Sequence, residues 1–313
     1  MQYYQKQIGL GSNLEISIVS KLPKTKIDLI YLNLWKKIYN FERRFSRFIP
    51  SSELSLFNKK AGSKTYISSE FKDILMLAKD YGVKTNGLFN PFILPVLQRA
   101  GYLHSMLKEY QEDYVDDFRD RTIVNIDKLT IGDEWGLIPY GTALDLGGLG
   151  KGYLADRLAN YLDPLVDSYW ISLGGDIVFK GHNSDDKSWT IDIANAHQLS
   201  KNLAFYNSNS RAKKAIATSS VVSRKISDGH HIIDPRTLKP SDSDVIMSTI
   251  ISNKCVVSDI LASCCLILGS LQSKSFLRQN AISDAILQVS NNNHTTNVIS
   301  GKHIKLYNTN IAS

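Results

Sequence analysis

Four short segments carry residue types that could do chemistry. The first, Asp145-Leu-Gly-Gly-Leu-Gly-Lys151-Gly152, sets three glycines and a lysine ahead of an amphipathic stretch. Glycines let backbone N–H groups approach a ligand, a helix N-terminus adds partial positive charge, and Lys151 adds a full one, a combination suited to phosphate. A plain glycine-rich turn into a helix has the same appearance. The segment is not a Walker A loop, because Asp145 stands where that motif has Gly and Gly152 where it has Ser or Thr. It is not a dinucleotide fingerprint either, since Tyr153 fills the third glycine position.

The second segment, Ser172-Leu-Gly-Gly-Asp176, reads by itself as a hairpin turn. The third is His230-His231-Ile-Ile-Asp234-Pro-Arg-Thr237. An imidazole there can serve as a general base near neutral pH with Asp234 to orient it, or the histidines can simply end a strand before an Asp-Pro turn. The fourth is the pair Asp259 and Ser263, which share one helix face at i, i+4. A carboxylate and a hydroxyl so placed suit a hard cation such as Mg²⁺, with backbone carbonyls, water and substrate phosphates completing the shell. An acidic residue near a helix N-terminus has the same spacing without any metal.

The elements that must position these segments follow from periodicity. Residues 13–20 alternate as a strand, and Ile27, Ile30, Leu34, Ile38 and Phe41 mark a helix to Phe45. The stretch 46–62 is polar and turn-rich, and Ser68 or Ser69 caps a second helix through Tyr81 that Gly82 and Gly87 end. The acidic run 109–120 reads as solvated and receives no function. Beyond Thr122 strands are expected at 169–173, 177–180, 189–193, 230–233, 285–289 and 303–307. Helices at 151–162 and 258–268 interrupt them, the latter stopping at Gly269.

Composition sets the class. The chain has 313 residues, a net charge of +7 and 43% hydrophobic residues, which excludes a disordered or collagen-like chain. The charge excess suggests an anionic partner without identifying it. No internal repeat or linker divides the chain, so one α+β domain over residues 8–310 is expected after a 1–7 tail, with no separate nucleic-acid module. Val256–Leu268 is the most apolar stretch and is too short and too polar to cross a bilayer, so no transmembrane segment is expected. Cys255, Cys264 and Cys265 lack metal-ligand spacing and read as buried free thiols. With no signal peptide visible, the sequence as given implies a cytoplasmic protein; an incomplete N-terminus would make it extracytoplasmic and membrane-associated.

In order along the chain, these segments resemble the ApbE family, the FAD:protein FMN transferases. Residues 44–58 (RFSRFIPSSELSLFN) look like FSRF-x-P-x-SELS-x-x-N, and Gly87–Pro91 like GxFDP. Asp145–Gly152 resembles DLGGIAKG, Ser172–Asp176 NLGGD, Ala217–Ser220 ATSG, His231–Thr237 HIIDPRT, and Ser258–Ser263 ADALAT. The resemblance implies a largely antiparallel α+β domain with flanking helices. It also implies an enzyme that binds FAD as substrate, uses Mg²⁺, and moves FMN to a threonine of an acceptor flavoprotein with an FMN-binding domain, releasing AMP. Residue by residue it implies FAD contacts at Leu10, Phe48, Leu88, Phe89, Asn90, Asp145 and Lys151. Mg²⁺ would be held by the Gly148 carbonyl, Asp259 and Ser263, with His231 as the base. An FAD pyrophosphatase and a flavin-binding protein without catalysis are the alternatives. This chain has Leu10 for the family's Met, Phe48 for Tyr, Asn90 for Asp, Ser263 for Thr, and Ser220 and Leu238 for Gly. Leu238 follows the proposed base in a turn where a bulky residue is costly at positive φ.

Overall fold

The computed structural model describes residues 1–105, 116–207, 210–222, 225–226, 229–291 and 294–307; part of the acidic run lies outside them. Period-two alternation builds its central sheet. In Ser12–Val19 (β2), Leu14, Ile16 and Ile18 are buried on one face, as a half-buried strand requires. Gln2–Gly9 (β1) pairs with β2 along its full length, so the expected tail is instead an edge strand, brought in by a two-residue turn at Leu10-Gly11. On its other side β2 meets Ser168–Leu173 (β3). The sheet continues through Asp176–Lys180 (β4), Lys214–Ser220 (β5), Val245–Ser252 (β6), Asp284–Asn291 (β7) and His294–Ser300 (β8). All seven ladders are antiparallel and spatial order follows chain order. The α+β expectation holds.

Helices enter between these strands. Lys24–Phe45 (α1), Glu53–Lys59 (α2), Ser69–Lys84 (α3), Leu94–Arg99 (α4) and Gly150–Leu162 (α5) lie between β2 and β3, and Cys255–Gln279 (α6) between β6 and β7. The apolar stripes of α1, α3 and α5 close over β2 and β3 in one core, with Leu34, Phe71, Leu158 and Ile171 fully buried. Leu261 and Leu266 of α6 meet Ile250 and Leu287 of the same sheet. The opposite face, through Ile177, Ile216, Ile251 and Ile286, packs on a small sheet formed by Ile191–Asn195, Gln198–Tyr206 and Ile304–Leu306. Adjacent residues in β4 and β5 therefore point into different cores, which fixes their register.

Three sequence expectations change. The turn-rich stretch 46–62 contains α2, whose Ser52 side chain accepts from the Ser55 N–H as an N-cap. Gly82 does not end α3, which runs to Lys84. A Cβ at residue 82 would come within 2.6 Å of Ile126, so the glycine serves a close crossing rather than a stop. Gly269 breaks α6 with φ 78°, but the chain resumes helical form to Gln279 because Asp244 accepts the Ser270 N–H and restarts it. By length and composition α6 could cross a membrane, yet 67% of its most apolar window is buried inside the protein. It is a core helix. Its three cysteines are free and buried, as expected, and burial pushes the Cys265 thiol up to about 11.

Leu238 adopts φ 60°, so the turn after His231 is formed at the cost anticipated for a bulky residue there. Its N–H still closes the turn on the Asp234 carbonyl at 2.8 Å, while left-handed backbone costs an L-residue roughly 1–2 kcal/mol. Leu238→Gly should raise stability by up to about 1 kcal/mol, after the greater backbone entropy of glycine is subtracted. A urea midpoint that rises with an unchanged m-value would show it; a fall would mean the Leu238 side chain contributes more than the strain removes.

Candidate functional site

The two helices that carry the first and fourth segments cross so closely that each begins on the other. A Cβ on Gly152 would lie 2.7 Å from the Val256 Cα, so only glycine lets α5 approach α6 this way. That contact explains why the position after Lys151 has no hydroxyl. Asp259 on α6 accepts the Gly152 N–H at 3.2 Å, and Asp156 on α5 accepts the Cys255 and Val256 N–H groups at 2.8 and 3.0 Å. Each carboxylate thus satisfies donors of the other helix's first turn. Burial pushes the Asp156 carboxyl above its usual range, with these two amide donors pulling it back.

The N-terminus of α5 and one face of α6, through Asp259 and Ser263, open on one cavity of about 340 Å³, inside the span of about 300–1,000 Å³ typical of small-molecule sites. The flavin, metal and base residues named through the family resemblance all line it: Leu10 from the hairpin tip, Phe48 after α1, Leu88, Phe89 and Asn90 before α4, Asp145, Gly148 and Lys151 at α5, His231, and Asp259 and Ser263 on α6. The loop segments are tied together by backbone. Asp145 N–H bonds the Pro91 carbonyl at 2.7 Å, and its own carboxylate accepts the Gly147 N–H at 2.9 Å. The Asn90 amide works at both ends, accepting from the Phe92 N–H at 3.0 Å and donating to the Val124 carbonyl at 2.9 Å. A carboxylate in its place could not make the second bond.

The adjacent histidines separate in role. His230 lies off the cavity, its Nε2 2.9 Å from the Ser241 carbonyl, and burial lowers its pKa. His231 faces the cavity with its ring edge-on to Tyr102 at 6.3 Å. The expected partnership with Asp234 is not what the structure shows, because Asp234 is engaged by the Arg236 guanidinium in a bidentate pair at 2.7–3.1 Å. Burial alone would raise the Asp234 carboxyl, but the Arg236 bonds outweigh it and hold it below the usual carboxylate range.

Several lining groups escaped the sequence reading. Arg47, with a side chain only 6% exposed, pairs its Nε with Asp145 Oδ1 at 3.0 Å. Its guanidinium lies 4.2 Å from the centre of the Phe48 ring and 4.5 Å from that of Tyr102, and Nη2 donates to the Tyr102 carbonyl. Lys151 pairs with the buried Asp176, so the second glycine turn serves the first segment. Ser219 Oγ lies 3.0 Å from Ser263 Oγ. Glu42, also lining the cavity, sits one residue from Phe41 on the buried stripe of α1. A charged residue on that stripe was a signal available in the sequence, as was the place of Arg47 inside the FSRF motif; Tyr102 had none.

Hard oxygen donors from Asp259, Ser263 and the Gly148 carbonyl share this one cavity. Among the described residues no three His, Cys, Asp or Glu side chains cluster as a protein-only metal cage. That donor set fits a hard cation that draws the rest of its shell from water and ligand phosphate. Formal charge points the same way: among the lining residues the carboxyl groups of Glu42, Asp145 and Asp259 outnumber the two cations Arg47 and Lys151 by one, and Lys151 is itself paired with Asp176.

Comparison with known proteins places this arrangement. The profile of the ApbE family matches residues 10–287. A FAD:protein FMN transferase of Treponema pallidum is 26% identical over 307 residues, covering 91% of this chain and 84% of that protein. One from Vibrio cholerae is 26% identical over 274 residues, covering 84% and 78%. Among solved structures, the flavin transferase ApbE from Vibrio cholerae superposes with a TM-score of 0.80 at 23% identity over 96% of this chain and 97% of that one. The ApbE protein from Thermotoga maritima gives 0.80 at 20% identity over the same shares. With the family profile spanning most of the chain and the same fold recurring in its solved members, this protein belongs to the ApbE family.

Proposed function

We propose that the protein transfers FMN from FAD to a threonine hydroxyl of a partner flavoprotein and releases AMP, with Mg²⁺ as its metal. The relatives' shared name, FAD:protein FMN transferase, supports FAD and a protein acceptor. The carrying observation is the oxygen donor set of Asp259, Ser263 and Gly148 gathered with Lys151 at the N-terminus of α5, in a cavity whose lining carboxyl groups outnumber its lining cations. An anionic pyrophosphate would be repelled by that excess until a divalent cation offset it. Asp259, Ser263 and the Gly148 carbonyl would hold the cation, which neutralises developing phosphate charge when bound.

This chain's own groups do the rest. Lys151 and the positive end of the α5 dipole attract the pyrophosphate, and Leu10, Phe48, Leu88 and Phe89 offer apolar surface to the flavin. Asn90 and Asp145 supply polar contacts, the latter steadied by Arg47. The threonine oxygen bonds to the phosphorus of the FMN half as the P–O bond to AMP breaks. His231 accepts the hydroxyl proton, a task for which imidazole is matched near neutral pH. The acceptor is an FMN-binding domain of an electron-transport or reductase subunit.

Incubation with FAD, Mg²⁺ and such an acceptor should give flavin fluorescence on the denatured acceptor together with AMP, and EDTA should abolish both. AMP without labelled acceptor would establish the pyrophosphatase instead, and FAD binding with neither product would leave only a binding protein. Asp259→Asn keeps an acceptor for the Gly152 N–H while removing the charge. We expect turnover to fall by about 10²-fold or more and the Mg²⁺-induced rise in Tm to vanish; normal rates in this variant remove Asp259 from the metal site. For His231→Ala, FAD should bind with wild-type affinity while transfer drops by about 10²–10⁴-fold. Full transfer would rule out its role as base.

A further inference from the structure

The tip of the β1–β2 hairpin concentrates unfavourable local choices on the cavity wall. Leu10 and Gly11 are the central residues of a two-residue turn closed by the Gly9–Ser12 pair, with φ of 52° and 72°. That geometry suits Asn-Gly or Gly-Gly, and a leucine in it carries backbone strain. Opposite stands Glu42, in the last turn of α1, where the helix dipole disfavours a carboxylate, and only 7% exposed. Its Oε1 accepts the Leu10 N–H at 2.8 Å. Strain, burial and dipole thus meet at one hydrogen bond, and both partners line the cavity. Backbone strain persists only where its surroundings enforce it, and it gathers at ligand sites.

We infer that Glu42 is a positioning residue for flavin-nucleotide binding: its carboxylate locks the Leu10-Gly11 turn in the left-handed form that makes it a fixed wall of the cavity. The inference rests on the FAD reading of that cavity. Without an acceptor at residue 42, the Leu10 N–H loses its partner beside the core, and only the Gly9–Ser12 pair at the end of the hairpin ladder still holds the strained turn. A glutamine presents a carbonyl oxygen to the same N–H, so the role belongs to the hydrogen bond rather than to the charge.

The test uses the full chain with Glu42→Ala, Glu42→Gln, Leu10→Asn and the Leu10→Asn/Glu42→Ala double variant. Two readouts are taken: amide hydrogen exchange at Leu10 in ligand-free protein, and FAD affinity by flavin fluorescence, with kcat at saturating FAD alongside. For Glu42→Ala we expect exchange at Leu10 to quicken by about tenfold and the FAD Kd to rise by about as much, with the loss falling on Kd rather than kcat. Glu42→Gln should restore both. Asn favours the left-handed turn unaided, so in the Leu10→Asn background removal of Glu42 should cost less than about threefold. Equal costs in both backgrounds, or a Leu10 amide as protected in Glu42→Ala as in the wild type, would overturn the inference. A loosened turn with unchanged FAD affinity would overturn it too. Wild-type protein that binds no FAD would instead overturn the FAD reading, and the exchange measurement would still decide whether Glu42 holds the turn.

Discussion

The site depends on the exchange of carboxylates between α5 and α6. Asp259 reaches the first turn of α5 and Asp156 the first turn of α6, at a crossing so tight that residue 152 must be glycine. Two helix N-termini repel each other through their dipoles, and each alone leaves unsatisfied N–H groups. A buried carboxylate on each side answers both problems. The result is a fixed crossing that sets Lys151, in the first turn of α5, and Asp259 and Ser263, on the face of α6, around one cavity.

That arrangement makes the remaining charges interpretable. Asp145 and Asp176 each come with a cation of their own, Arg47 and Lys151, and their partners stand in different loops. Pairing of this kind fixes side-chain direction more than it adds stability, since buried ion pairs lose in desolvation much of what they gain in attraction. Asp259 differs, for it accepts from a backbone amide, and among the described residues no cation pairs with its carboxylate at the cavity. A metal cation is the group such an environment favours.

Much of this was legible in sequence where periodicity is strong. The stripe Ile27–Phe41 marked α1, Leu154, Leu158 and Leu162 marked α5, and the alternation of Leu14, Ile16 and Ile18 marked β2. The failures have physical causes. Seven-residue α2 is too short to show a period, and Gly82 inside α3 reports a contact with Ile126, which lies 44 positions later and which no local rule can see. Motif residues could be named because they recur in order, but which of them supports which is set by the fold and has no local signal. Arg47 serves Asp145 across 98 positions, and Asp176 serves Lys151 across 25. Asp234 shows the converse, where nearness to His231 suggested a partnership and Arg236 takes the carboxylate.

The chain's departures from the family pattern follow a common electrostatic sense. Asn90 replaces a carboxylate with an amide whose two ends are both used, tying the segment before α4 to the Val124 carbonyl. An Asp there would raise the carboxyl excess among the cavity's lining residues from one to two and set two acceptors against each other. Phe48 in place of Tyr gives up a hydroxyl, yet the ring keeps its stacking on the Arg47 guanidinium, which depends on the aromatic face. Both changes conserve what the cavity requires of the position, a fixed loop in one case and an aromatic wall in the other. Neither touches the Asp259–Gly152 contact on which the site is built.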